Sequence, residues 1–323
     1  MVNEQKNIKE NILKILYKAG GKTISGVRLS AALNVSRVAV WKHIKTLKES
    51  GFDIESRPKG YGLLNHDDLL LPFCFNKEFE KKILHFPELE TTMDKAKILA
   101  KNNAPHLSVV VAENQTTGRG RLNRRWFSSK GGLWFTLILK PNTPPVLSYI
   151  YNFAASLSLS RSLNRLFDVN VSVKWPNDIL LNGKKLVGLL SEMETRGDMV
   201  EFINIGIGIN VNNSPQEYEP KAISLKDVLH KTVSRRLILE TFLDDFKNRI
   251  QPPIQIPAQT IDCRQIIDQW KEQTSTIGSQ VRIETLTDVY EGLAVDVDET
   301  GALMIKDKTG EIKKIIYGDC FHT

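Results

Sequence analysis

The stretch Phe202-Ile-Asn-Ile-Gly-Ile-Gly-Ile-Asn-Val211 leaves the chain little choice of conformation. Isoleucine alternates with asparagine or glycine at period two, which a β-strand satisfies and a helix does not. Ile205, Ile207 and Ile209 then share one face, and Gly206, Gly208 and Asn210 share the other. The isoleucine face is core. The glycine face carries almost no side chains. It leaves a slot where a flat ligand, or another stretch of chain, can lie against bare backbone. Such a strand belongs inside a sheet whose two faces do different work.

Two further stretches carry polar chemistry toward that sheet. Gln115-Thr-Thr-Gly118-Arg119-Gly120-Arg121-Leu-Asn-Arg124-Arg125-Trp126 packs four arginines and two glycines into eight residues. Glycine permits close backbone approach and mobility, and guanidinium forks match phosphate and carboxylate oxygens. The segment reads as a flexible anion clamp, with Trp126 able to stack on a flat base, or as a basic surface loop. It lies between two predicted strands, 107–112 and 133–139, and a long amphipathic helix is predicted over 147–167. Next comes Lys174-Trp175-Pro176-Asn177-Asp178, then Asn182-Gly183-Lys184-Lys185-Leu-Val-Gly188. Asn-Gly between apolar runs is a strong two-residue hairpin signal. Lys184 and Lys185 point to opposite faces of the return strand, so only one of them can serve a buried site.

The N-terminal fifth has a different character. Residues 1–65 hold 12 Lys or Arg against 5 Asp or Glu, a balance of +7, which is the whole net charge of the chain. The remaining residues balance at zero. A basic module on a neutral body points to a polyanionic partner for that module alone or to a solubilising face, and charge by itself does not choose between them. Ile8, Ile12, Ile15 and Leu16 mark a first helix, ended by Gly20-Gly21. A second helix runs from Ser25 to Leu33, and Ser36 caps a third that ends before Gly51. Val38, Trp41, Ile44 and Leu47 recur every three residues and are assigned to the core face of that third helix. Residues 52–64 then form two short strands around Pro58-Lys59-Gly60. Helix-turn-helix followed by a basic hairpin is a winged helix. Ser36, Arg37, Lys42 and Lys45 on the third helix, with Arg57 and Lys59 at the wing, are the candidate DNA contacts. Arg37, Lys42 and Lys45 are placed to reach phosphates or base edges in the major groove.

Composition narrows the rest. The chain is 41% hydrophobic and 25% charged, which suits a packed globular protein. No apolar run approaches a membrane span and no signal peptide is evident, so the expectation is a cytoplasmic protein with no membrane association. Cys74, Cys263 and Cys320 are scattered without metal-site spacing. Gly206-x-Gly208 lacks the third glycine of a dinucleotide fingerprint, and Gly21-Lys22-Thr23 lacks the earlier glycine of a P-loop, since Leu16 stands there. Short β-rich runs separated by polar turns over 278–319 predict a small C-terminal barrel.

These motifs, in this order and behind a winged helix, resemble the bifunctional biotin protein ligase/biotin operon repressor family. The resemblance covers nearly the whole chain. It rests on Gly-Arg-Gly-Arg followed by Trp, then Lys-Trp-Pro-Asn-Asp, Gly-Lys-Lys-Leu-Val-Gly and Gly-Ile-Gly-Ile-Asn. It implies an α+β multidomain protein: a winged helix-turn-helix over 1–66, a mixed α/β ligase domain over 67–271, and an SH3-like β-barrel over 272–323. It also implies an enzyme that joins biotin to ATP and transfers biotin from biotinyl-5'-AMP to a lysine of a biotin carboxyl carrier domain, such as that of acetyl-CoA carboxylase. The adenylate would be the corepressor of a homodimer bound to operator DNA.

By the same resemblance, Lys185 and Arg121 would be catalytic. Thr91, Thr92, Gln115, Gly118, Arg119 and Gly120 would bind biotin or the adenylate, together with Trp126, Gly188, Gly206, Gly208 and Asn210. Trp126 would stack on adenine. Mg2+ would accompany ATP, with Asp178 a weak candidate for positioning it. The family's Ser-Thr-Asn before the arginine loop is Thr91-Thr92-Met93 here, which keeps both hydroxyls and replaces the third polar group. The Pro-rich stretch over 251–257 also looks longer than the family pattern. Two alternatives stay open at this point. One is a ligase for another cofactor acid such as lipoate, although no Arg-Arg-x-Ser-Gly-Gly-Gly stretch is present. The other is a ligand-sensing repressor without ligase activity, against which Arg121 and Lys185 speak.

Overall fold

The computed structural model describes residues 2–250 and 262–323, so the Pro-rich stretch over 251–257 lies outside the described residues. The described chain divides into two compact units, residues 1–80 and 81–323.

The first unit is the winged helix. Helix α1 (Val2–Lys18) is followed by α2 (Gly26–Leu33) and α3 (Arg37–Glu49). Ser25 and Ser36 cap α2 and α3 by accepting from Arg28 N and Ala39 N, and Asn34 turns the chain between them in the left-handed region. Strands β1 (Ile54–Arg57) and β2 (Gly60–Leu63) form the wing, and Ile24 pairs with Tyr61 on its other edge. The core joins Ile12, Leu16 and Leu29 to Val40, Ile44, Leu47, Ile54 and Leu63.

The expectation that Val38 and Trp41 face this core is corrected. They are 62% and 54% exposed, while Val40, Ile44 and Leu47 are buried. The physical reason is helical drift. A step of three residues turns 300°, so a run at i, i+3, i+6, i+9 slides around the helix, whereas i, i+4, i+7 stays on one face. The basic stretch ends near residue 66, yet the unit continues to Glu80 and short helix α4 (Lys77–Glu80). Leu69, Leu71 and Phe73 pack against its core, and Tyr17 donates to the Cys74 carbonyl oxygen at 3.3 Å.

The second unit is built on a seven-stranded mixed sheet. Its strands are β3 (Ile83–Phe86), β4 (Ser108–Ala112), β5 (Leu133–Leu139), β6 (Val171–Lys174), β7 (Asp178–Leu181), β8 (Lys184–Arg196) and β9 (Met199–Ile209). Their order is β3-β4-β5-β9-β8-β7-β6, with only the β3–β4 pair parallel. Helix α5 (Thr92–Lys101) follows β3, α6 (Tyr149–Phe167) follows β5, and α7 (Leu225–Leu229), α8 (Arg235–Ile250) and α9 (Cys263–Lys271) follow β9. Asn182 and Gly183, both at positive φ, make the two-residue turn between β7 and β8.

The two faces of β9 differ as its sequence requires. Ile205, Ile207 and Ile209 are buried, and Phe135, paired with Ile207, meets Phe242 of α8 at 5.6 Å on that side. On the glycine face, Gly208 sits between Trp134 and Gly188, and Gly206 between Thr136 and Leu190. Strands β10 (Gln280–Glu284), β11 (Val289–Val297), β12 (Leu303–Lys306), β13 (Ile312–Ile315) and β14 (Asp319–His322) form an antiparallel sheet of order β13-β12-β11-β10-β14, the SH3-like module.

Candidate active site

The glycine face of the sheet is the floor of a cavity of about 680 Å³. Thr91, Thr92, Gln115, Arg119, Gly120, Arg121, Trp126, Lys185, Gly188, Gly206, Gly208 and Asn210 all line it. Among the predicted pocket residues, Gly118 does not. A Cβ there would lie 2.5 Å from the Trp126 carbonyl oxygen and 2.6 Å from Ser128 Oγ. Close approach inside the arginine segment requires a glycine at that position.

That segment is a hairpin in this structure. Gln115 pairs with Ser128, Trp126 N donates to Gly118 O at 2.8 Å, Arg119 bridges Arg125, and Gly120 N donates to Arg124 O at 2.7 Å. Its base is tied to the sheet and to α5. Gln115 Oε1 accepts from Thr92 N and Oγ1 at 2.7 and 3.1 Å, Thr136 donates to Thr92 at 2.8 Å, and Gln115 Nε2 donates to Ser128. Thr91 caps α5 by accepting from Met93 N, which puts the positive end of that helix dipole at the cavity wall.

The hairpin tip is held by carboxylates. Arg119 reaches Asp94 of α5 at 2.8 Å and Glu192 of β8 at 3.2 Å. Arg121 donates to Gly318 O at 3.1 Å and lies 3.8 Å from Asp319, which also pairs with Arg124. Burial pulls the Arg121 pKa down, while the nearby Asp319 and Asp178 pull it up and keep the guanidinium charged. Lys185 Nζ sits 2.7 Å from Asp178 Oδ1 and 5.3 Å from the Trp126 ring centroid. Lys184 is exposed and away from the cavity, so the strand alternation selects Lys185. The whole constellation concentrates fixed cations above a floor without side chains.

The slot over that floor is not open here. A Cβ at Gly208 would collide with the Trp126 indole, and one at Gly188 would lie 3.0 Å from it. A Cβ at Gly206 would meet Met93 Sδ at 2.7 Å. Trp126 therefore lies flat on the Gly188–Gly208 pair, edge-on to Trp134 at 6.3 Å, and its Nε1 is buried without a partner. Met93, at the position that departs from the family pattern, covers the neighbouring glycine. In this structure the slot over the glycine face is occupied by side chains of the chain itself, Trp126 and Met93.

The Asn210 side chain is engaged by Asn213 Nδ2 at 3.0 Å. Asn177 and Asp319 join the site without a distinct signal in the sequence. Asn177 receives Arg121 at 3.4 Å and donates to the Leu189 carbonyl. Its one trace there is its place inside Trp-Pro-Asn-Asp. Asp319 comes from the C-terminal module and only folding brings it to the cavity.

In the winged helix, Arg37, Lys42 and Lys45 are exposed on α3 and Lys59 is exposed in the wing turn. Ser36 spends its side-chain oxygen on the cap. Arg57 is committed inside the module, donating to Thr23 Oγ1 at 2.9 Å and to Gly21 O at 3.3 Å and pairing with Glu55. Its guanidinium braces the wing against residues 21–23 instead of reaching out from the tip.

The geometry is matched by similarity to known proteins. Residues 86–210 match the biotin/lipoate A/B protein ligase family, residues 9–62 an HTH domain, and residues 276–323 the biotin protein ligase C-terminal domain. The chain is 34% identical to the bifunctional ligase/repressor BirA of Bacillus subtilis, over 97% of this chain and 98% of that protein. It belongs to that family. A biotin–[acetyl-CoA-carboxylase] ligase of Mycobacterium tuberculosis is 32% identical over 66% of this chain and 78% of its own length. The solved structure of the Aquifex aeolicus biotin protein ligase with biotin and ATP superposes with a TM-score of 0.63 at 26% identity, over 75% of this chain and all of that one. The BirA relatives span the winged helix as well as the ligase part, which answers to the two units described above.

Proposed function

We propose that the chain is an ATP-dependent biotin–protein ligase that also represses transcription of biotin genes. The observation that carries the enzymatic reading is Lys185 and Arg121 converging over the Gly188–Gly208 floor. A biotin carboxylate attacking an α-phosphate brings two anions together. An ammonium and a guanidinium held in place offset that repulsion and stabilise the charge of the transition state. The carboxylate oxygen bonds to the α-phosphorus, and the bond to the bridging oxygen breaks and releases pyrophosphate. The amine of a carrier lysine then attacks the acyl carbon, loses a proton, and AMP leaves with the bonding pair. No protein nucleophile is needed.

The residues assigned to biotin and the adenylate are Thr91, Thr92, Gln115, Arg119, Gly120, Arg121, Trp126, Lys185, Gly188, Gly206, Gly208 and Asn210. Trp126 leaves the glycine floor for the ligand and stacks on the adenine. The hairpin excludes water from the mixed anhydride. Asp178 borders the cavity, which suits Mg2+ carried in on ATP, an ion that takes one or two carboxylates and the substrate phosphates as ligands. Asp178 would hold it there, and the ion would neutralise phosphate charge.

The acceptor is a biotin carboxyl carrier domain, of acetyl-CoA carboxylase or a related enzyme, in the cytoplasm. Among the described residues no helix is long and apolar enough to cross a membrane. The adenylate-bound protein dimerises, and its paired winged helices bind an operator of two-fold symmetry. Arg37, Lys42, Lys45 and Lys59 are the cations assigned to that contact.

Biotin-dependent ATP–pyrophosphate exchange tests the enzymatic half. Exchange with biotin and none with lipoate is expected, and Lys185→Met should lower it by roughly 10²–10³, the scale of a lost transition-state charge contact. Exchange with lipoate instead would name the wrong acid. Exchange with neither would leave a ligand sensor without ligase activity.

A further inference from the structure

Helix α3 presents two opposed faces. At 100° per residue, Val40, Ile44 and Leu47 fall within about 60° of one another and are buried. On the other side Trp41, Lys45, Val38 and Lys42 fall within about 100°, and all four are exposed. The valine and the tryptophan, at 62% and 54% exposure, are neighbours at i and i+3 on this face and lie between cations. They lie in the first turns after the Ser36 cap, the part of a recognition helix that enters the groove.

Resting on the reading of this unit as an operator-binding module, we infer that Val38 and Trp41 read sequence by covering the 5-methyl groups of thymines in the major groove. The occupant follows from the chemistry of the face. The excess of +7 over residues 1–65 and the flanking Arg37, Lys42 and Lys45 call for a polyanion. The apolar pair between them calls for an apolar group inside that polyanion. The thymine methyl is the one apolar group that a base pair displays in the major groove. The lysines hold phosphates and carry no sequence information, whereas the two apolar side chains distinguish T·A from C·G. The broad indole surface at position 41 covers more than one methyl, and the isopropyl group at 38 covers one.

The test uses the full chain with biotin and ATP, and a random duplex library from which the preferred site is selected. Each thymine of that site is then replaced singly by uracil, which removes only the methyl. One or more positions per half-site should lose about fourfold in affinity, the worth of one buried methyl. Trp41→Ala should abolish the uracil effect at its own position, Val38→Ala at a different one, and Trp41→Phe should preserve it. Thermal unfolding of each variant checks that the exposed substitutions leave the fold intact.

If a site is selected but no uracil matters, the inference falls while operator binding stands. If uracil sensitivity survives in both alanine variants, other residues read the methyls and the inference falls likewise. If Trp41→Ala alters association of the loaded protein without changing the selected site, the face is a protein contact. If the wild-type chain selects no duplex at all, the operator-binding reading itself is wrong.

Discussion

Single residues in the ligase unit are placed by charge as much as by packing. Burial raises the Glu113 pKa, but hydrogen bonds and charge from His85 at 3.0 Å and Arg235 at 2.7 Å outweigh it and hold the carboxyl at about 2 instead of 4.5. A depressed carboxylate stabilises the fold above its unfolded pKa, and that contribution is lost as pH falls through the folded value. The loss therefore runs between about pH 5 and pH 2. Glu113→Gln should cost up to about 3 kcal/mol at neutral pH, and acid titration of its unfolding should show a shallower decline over that window than wild type. Gly208 is a residue-scale case of the opposite kind, where the absence of a side chain matters. Gly208→Val would push the Trp126 indole off the floor and fill the slot. Filling the slot should raise KM for ATP by roughly tenfold or more, equal to about 1.4 kcal/mol of lost binding, with secondary structure unchanged by circular dichroism.

At the scale of elements, the arginine hairpin and β14 act as a pair. The sequence of 115–126 suggests mobility, because glycines flank charges. The structure ties that segment through a ladder of backbone hydrogen bonds and clasps its tip to Asp319. Asp319→Asn should release the clasp. Trypsin should then cut the hairpin arginines of the unliganded protein about fivefold faster, the scale of an ion-pair contribution near 1 kcal/mol, and biotin with ATP should restore protection. An unchanged cleavage rate would mean that the ladder alone orders the hairpin. Helix α3 teaches a related lesson about periodicity. Its every-third-residue apolar run looks like a core stripe, but only 40, 44 and 47 stay on one face, and the tryptophan belongs to the solvent side.

Across the whole chain, the strongly basic segment is shorter than the unit that holds it. Residues 1–65 carry a balance of +7, residues 66–80 add one Lys against four Asp or Glu, and the unit from residue 81 on holds 31 Lys or Arg against 28 Asp or Glu. A chain beginning at residue 81 should lose all operator shifts yet keep biotin-dependent exchange. Cutting at 66 instead would leave Leu69, Leu71 and Phe73 without the core they pack on, and that product should be more prone to aggregation in light scattering. Operator affinity should fall steeply with salt, since phosphate contacts release counterions, while KM for biotin should change little.

Local structure and the inventory of chemistry were legible in the residues themselves. Period-two alternation set the faces of β9, Asn182-Gly183 set the hairpin and limited the site to one of Lys184 and Lys185, and charge marked the winged helix. These signals are readable because they act between residues near in the chain. It takes the assembled fold to show that Trp126 and Met93 cover the glycine floor, that Arg57 braces the wing from within, that Gly118 packs closely inside the hairpin, and that Asp319 from the far end of the chain clasps Arg121 and Arg124. Each of these depends on which distant groups compete for the same space or the same charge. That competition is settled by packing and electrostatics between segments, and no period or spacing along the chain records it.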